Sequence, residues 1–172
     1  MPGLIHIYCG DGKGKTTAAT GLAVRAAGAG KNVVFTQFFK DGSSSEIKVL
    51  QSVTNIQVLH CDTVRGFWKR MSDAQKAKVS VDYGQFLREV IQLAWNADLL
   101  VLDEILSACN HGAVSEAAVA DFLRSKPEYL EVVLTGRNPS DALLKLADYV
   151  TEMRKIKHPY DCGITARNGI EF

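Results

Sequence analysis

The stretch Cys9-Gly10-Asp11-Gly12-Lys13-Gly14-Lys15-Thr16-Thr17 gathers three glycines, two lysines and two threonines into nine positions. This composition suits a polyphosphate. Glycines let backbone N–H groups converge on phosphate oxygens with no Cβ in the way. A helix starting just beyond adds partial positive charge at its N-terminus. Lys15 supplies a mobile full charge and is the candidate catalytic group of the loop. The Thr16 hydroxyl is placed to ligate Mg²⁺. Gly10, Asp11, Gly12, Lys13, Gly14, Lys15, Thr16 and Thr17 are therefore the candidate nucleotide-binding set. The usual pattern has a glycine five residues before the Gly-Lys pair, where this chain carries Cys9. The glycine sits one place later, at Gly10, so the loop is a variant.

Three further stretches carry chemistry. Leu99 to Glu104 reads as an apolar strand ending in two carboxylates, which would lie beside the Mg²⁺ of a bound nucleotide. Glu104 is the favoured ligand, and Asp103 is the alternative that ties the glycine loop in place. Thr135-Gly136-Arg137 follows another strand and could bring a guanidinium to phosphate; a solvated turn arginine is the equal alternative. Gly66-Phe67-Trp68 puts two large aromatics in a loop, as a plug on the core or as a platform for a flat ligand. The basic and polar stretch Glu152 to Asp161 reads as a solvated tail. The four histidines have no metal-ligand spacing, and no Ser-His-Asp, Cys-His or paired-carboxylate set announces a hydrolase.

Positioning these residues requires strands alternating with helices. Leu4 to Tyr8, Val33 to Phe38, Ile56 to His60, Leu99 to Glu104, Tyr129 to Thr135 and Tyr149 to Met153 read as strands. Helices are expected over Ala18–Ala27, Glu46–Val53, Ser72 towards Ala97 with a division at Gly84, Glu116–Leu123, and Ser140–Ala147. Cys61 to Met71 reads as irregular. The alternation predicts an α/β fold of the P-loop NTPase-like (RecA-like) kind, a mostly parallel sheet with helices on both faces. Ligands then lie at the carboxyl ends of the strands.

At 172 residues a single domain over 1–172 is expected. A net charge of +1 gives no field towards nucleic acid or a membrane surface, and no apolar run is long enough to span a bilayer. The first strand starts almost at once, which leaves no room for a signal peptide. Four scattered cysteines without a C-x-x-C suit reduced thiols in a cytoplasmic protein.

Taken together, these stretches resemble the P-loop type ATP:corrinoid adenosyltransferases, which act on cob(I)alamin or cob(I)yrinic acid a,c-diamide. The resemblance rests on Gly10 to Thr17 followed by Ala18-Ala19, on Gly30-Lys31-Asn32-Val33, Gln37-Phe38-Phe39-Lys40, Leu102-Asp103-Glu104 and Leu134-Thr135-Gly136-Arg137. The tail adds Leu146-Ala147-Asp148, Thr151-Glu152-Met153-Arg154, Lys157-His158-Pro159-Tyr160-Asp161, Gly163-Ile164 and Gly169-Ile170-Glu171.

The resemblance implies that Co(I) of a reduced corrinoid attacks C5′ of ATP and releases triphosphate, with ATP bound in reverse relative to ordinary P-loop enzymes. It implies Mg²⁺ as cofactor, an electron-donating flavin or flavoprotein, and a homodimer. It also implies an aromatic pair that displaces the lower axial ligand of the corrinoid. Phe67 and Trp68 are the candidates, with Phe67 favoured, because relatives separate the two aromatics by one residue and here they are adjacent. Many relatives carry an N-terminal extension over the site, so closure here is expected to come from elsewhere. Two other classes compete: a P-loop kinase or ATPase that uses the γ-phosphate, and a non-catalytic corrinoid or nucleotide carrier.

Overall fold

A computed structural model of the chain describes residues 2–61 and 68–172, the Lys69 side chain excepted. Its strands are β1 (Ile5–Cys9), β2 (Val33–Gln37), β3 (Ile56–His60), β4 (Leu99–Asp103), β5 (Glu131–Thr135) and β6 (Tyr149–Glu152). The helices are α1 (Lys15–Gly28), α2 (Ser45–Gln51), α3 (Asp73–Ala94), α4 (Ile105–Asn110), α5 (Glu116–Ser125) and α6 (Asp141–Leu144). Short 3-10 turns cover Trp68–Arg70 and Pro159–Cys162.

All six strands join one sheet in the order β3-β2-β4-β5-β1-β6, and every pairing is parallel. The central strands are apolar at successive positions because both faces are covered. Alternate residues divide between two cores. Val33, Phe35, Leu99, Val101 and Val133 pack with Ala19, Ala23 and Ala27 of α1 and with Ile47 and Leu50 of α2. Val34, Leu100, Leu102, Val132 and Leu134 face the opposite way, against α3, α4, α5 and α6. A period of two within each strand thus sorts side chains between two helical layers.

Several boundaries differ from expectation for local reasons. The first helix begins at Lys15, inside the glycine loop, rather than at Ala18. The acidic strand ends at Asp103, because Glu104 takes a left-handed backbone (φ 61°) and opens α4, which the sequence reading missed. The fifth strand starts only at Glu131, after a turn in which the Leu130 N–H reaches the Pro127 carbonyl. The Ser140-capped helix stops at Leu144 rather than Ala147.

Gly84 does not divide α3. The helix starts at a reciprocal Ser72–Gln75 capping box and buries Val79, Tyr83, Phe86, Leu87, Val90 and Ala94 along one face, so packing holds it through the glycine. A Cβ at Gly84 would meet only the tip of Arg88, 3.8 Å away. Gly84→Ala is therefore expected to raise stability by roughly 0.5–1 kcal/mol, since alanine loses less backbone entropy on entering a helix. Urea unfolding checks this, and a lowered midpoint would contradict it.

Candidate active site

The carboxyl ends of β1, β4, β5 and β2 bring the chemistry together. The loop after β1 closes on α1 at Gly14, whose φ of 116° no L side chain adopts without strain. That cap has no side-chain acceptor, so the first amides of α1 remain for an anion. The loop leans on the segment after β6. The Gly12 N–H donates to the Met153 carbonyl at 2.6 Å, and the Met153 N–H donates to the Cys9 carbonyl at 2.8 Å. A Cβ at Gly12 would lie 2.5 Å from the Met153 carbonyl oxygen, so only glycine fits there.

Asp11 has a structural task. Its carboxylate accepts the Lys155 N–H at 2.9 Å, and that bond holds its pKa below the usual carboxylate value. The Lys13 side chain is exposed and borders a groove of about 470 Å³ shared with Arg154 and Lys157. Lys15 is buried, and its ammonium donates to the Gly12 carbonyl at 2.8 Å. Burial pushes its pKa down, partly opposed by the Glu104 carboxylate, while the Arg137 guanidinium pushes the same way as burial. Arg137 is exposed, yet near enough to act on both Lys15 and Asp11. Its carbonyl is held by the Asn110 amide at 2.7 Å.

Asp103 is the hub. It is fully buried and accepts from Thr16 (2.9 Å), Thr135 (2.7 Å), Lys40 (2.8 Å) and Gln37 (3.3 Å). A buried carboxylate survives only with such donors. One residue on, the Glu104 N–H donates to the Thr135 hydroxyl at 2.9 Å, and its carboxylate accepts from Ser107 at 2.5 Å. The two acids thus divide their tasks: Asp103 ties Thr16 to the sheet, and Glu104 faces the Lys15 side of the loop.

The residues present suit Mg²⁺. The Thr16 hydroxyl spends its proton on Asp103, which leaves lone pairs for a cation, and Glu104 offers a carboxylate. Mg²⁺ typically takes one or two protein oxygens and completes its shell with phosphate and water, so no larger protein cluster is required. Among the described residues, no group of three His, Cys, Asp or Glu could hold a metal by itself.

At the end of β2, Phe39 adopts a left-handed backbone (φ 54°), and its N–H donates to the Tyr83 hydroxyl at 2.6 Å. Its ring lies 5.6 Å from Trp68, 5.7 Å from Tyr83 and 5.7 Å from His111. Trp68 is half-buried and packs against the core from the first turn of its 3-10 segment. Phe67 lies outside the described residues. Sequence reasoning quoted Phe39 and Lys40 but gave neither a role; two bulky residues directly after a buried strand were the available signal. Beside the loop is a cavity of about 360 Å³ lined by Thr16, Thr17, Thr20, Lys40 and the segment Gly169–Phe172.

A model of the family described as ATP:corrinoid adenosyltransferase BtuR/CobO/CobP matches residues 1–172. The chain belongs to this family. It is 35% identical over 173 residues to a corrinoid adenosyltransferase of Sinorhizobium sp., covering 99% of this chain and 80% of that one. It is 33% identical over 172 residues to a corrinoid adenosyltransferase of Salmonella typhimurium, covering 99% and 86%. Among solved structures, a KaiC-like protein of Pyrococcus horikoshii OT3 aligns with a TM-score of 0.50 at 16% identity, over 98% of this chain and 76% of that one. That likeness bears on the fold, a P-loop parallel sheet.

For this adenosyltransferase the hub makes a direct prediction. Asp103→Asn keeps the shape but removes the charge that holds Lys40, Thr16 and Thr135. Stability is expected to fall by about 2–3 kcal/mol, read by chemical denaturation. An unchanged unfolding midpoint would show that the hub is not structural.

Proposed function

We propose that this chain carries the adenosyl group of ATP to the cobalt of a corrinoid, in cobalamin synthesis or salvage, with the glycine loop holding the triphosphate that leaves. Family membership over the whole chain carries the reading. The attacking atom is the Co(I) of the corrinoid substrate. Its electron pair forms the Co–C bond to C5′, and the C5′–O bond breaks with its electrons on triphosphate. No protein base has to remove a proton, which agrees with a site built from donors.

The chain's own work is alignment and charge. Alignment can supply roughly 7–11 kcal/mol of a barrier. The amides at the start of α1, Lys13, Lys15, Thr17 and the exposed Arg137 are the groups that meet triphosphate. The amides are preorganised by the loop and helix, so they stabilise the charge that grows on the leaving oxygen. Mg²⁺, held by Thr16 and Glu104, would neutralise more of that charge. Lys15 rests on the Gly12 carbonyl and gives up that contact when a phosphate oxygen arrives.

The aromatic cluster at the end of β2 supports a place for the corrinoid over Phe39 and Trp68, with Phe67 and Trp68 as the candidates to displace the lower ligand and Phe67 favoured. Loss of that ligand leaves Co(II) easier to reduce by a flavin or flavoprotein donor. The four cysteines are thiols, which agrees with a reducing, cytoplasmic setting. A single domain, a single sheet and a homodimer complete the reading.

The decisive assay is spectral. Reduced corrinoid, ATP and Mg²⁺ should give the alkylated corrin spectrum with triphosphate as co-product; ADP and phosphate in its place would refute the assignment. Lys15→Ala should remove at least 100-fold of kcat/KM, the range found for loss of one preorganised charge-stabilising donor. Phe67→Ala and Trp68→Ala should depress turnover from Co(II) far more than from chemically supplied Co(I), and equal losses would reject the displacement role.

Lys15 also sets a pH dependence. Its ammonium pairs with triphosphate and its neutral amine does not. Because burial lowers its pKa in the free enzyme, ATP affinity should be complete below that lowered value and fall as pH rises through it, short of the ordinary 10.5. Calorimetric titration across alkaline pH reads this. An affinity that holds to the ordinary lysine value would contradict it.

A further inference from the structure

Lys40 has no part in the mechanism above, yet its ammonium lies at the centre of the loop's support. It donates to Asp103 Oδ2 at 2.8 Å and to Thr16 Oγ1 at 3.3 Å. The carboxylate is 0% exposed and the lysine side chain 26%. The ammonium therefore sits against the hydroxyl oxygen whose lone pairs a metal would use. The Thr16 proton is committed to Asp103 Oδ1, which leaves the hydroxyl's two lone pairs to accept, and the Lys40 ammonium already lies against that side of the oxygen. The same lysine lines the cavity beside Thr16 and Thr17.

We propose that Lys40 is a resident cation that stands in for Mg²⁺ at Thr16 when the metal is away, and that yields this position when metal-bound nucleotide arrives. A divalent ion on Thr16 and an ammonium within hydrogen-bond reach of the same oxygen repel each other strongly in a partly desolvated site. One must move. Lys40 keeps Asp103 and the cavity as alternative partners, and the metal has only Thr16, Glu104 and the phosphates. Lys40 is thus a positioning residue that sets how strongly nucleotide binding depends on metal.

The inference rests on the reading of Thr16 and Glu104 as the metal-side groups. Its test is nucleotide binding rather than turnover. The dissociation constant of ATP is measured by calorimetry in chelator and again with saturating Mg²⁺, for the wild type, Lys40→Gln and Lys40→Arg. The glutamine keeps a donor for Asp103 but has no charge. Its metal-free ATP affinity should fall at least tenfold, and the ratio of metal-free to metal-bound dissociation constants should rise at least tenfold. Lys40→Arg keeps the charge and should hold that ratio within threefold of wild type. A merely structural lysine would lower the melting temperature of Lys40→Gln and weaken both affinities equally; an unchanged ratio therefore overturns the inference and leaves the adenosyltransferase reading intact. A wild-type chain that binds no ATP under either condition overturns both.

Discussion

One buried carboxylate holds the site in shape. Asp103 sits at the carboxyl end of the central strand β4, without exposure, and accepts from groups on α1, β2, β5 and from Lys40, the third residue beyond β2. An ionised acid cannot remain in such a place alone. Its donors are therefore obligatory. Thr16 is drawn to the sheet, Lys40 is drawn inward, and the Thr135 hydroxyl passes the constraint to the Glu104 amide. The charge is expensive to bury, and this expense makes the arrangement specific.

The parallel sheet explains why these groups meet at all. Five parallel pairings place the carboxyl ends of all the strands on one edge, so loops separated by more than a hundred residues become neighbours. The order β3-β2-β4-β5-β1-β6 sets β5 between the glycine loop and the acidic strand. That spacing leaves room at the edge for a phosphate chain between Lys15 and Glu104. The aromatic group around Phe39 lies on the β2 side, over the α3 layer.

Much of this was legible in the sequence. Apolar runs marked all six strands, and Gly10 to Thr17 marked the glycine loop, because both depend on local backbone rules. The division of labour between Asp103 and Glu104 was visible only as an alternative. Its outcome depends on which acid lies under the neighbouring strands, and pairing is not local. The helix from Ile105 to Asn110 was missed because it follows the strand with no loop between; Glu104 turns the chain in one left-handed residue. The division at Gly84 was a propensity argument, and the packing of Tyr83, Phe86 and Leu87 outweighed it. The bond that Asp11 makes was out of view for a similar reason. Its partner, Lys155, lies 144 positions away, beyond the reach of any motif.

The contacts between the glycine loop and the segment after β6 have a consequence for the order of events during synthesis. Gly12 and Cys9 take their backbone partners from Met153, and Asp11 takes its partner from Lys155. A nascent chain that has left the ribosome only as far as β5 has the glycines but not the scaffold that shapes them. The loop therefore takes its full set of backbone contacts only when the segment after β6 has packed against it, which couples its shape to the last strand to join the sheet.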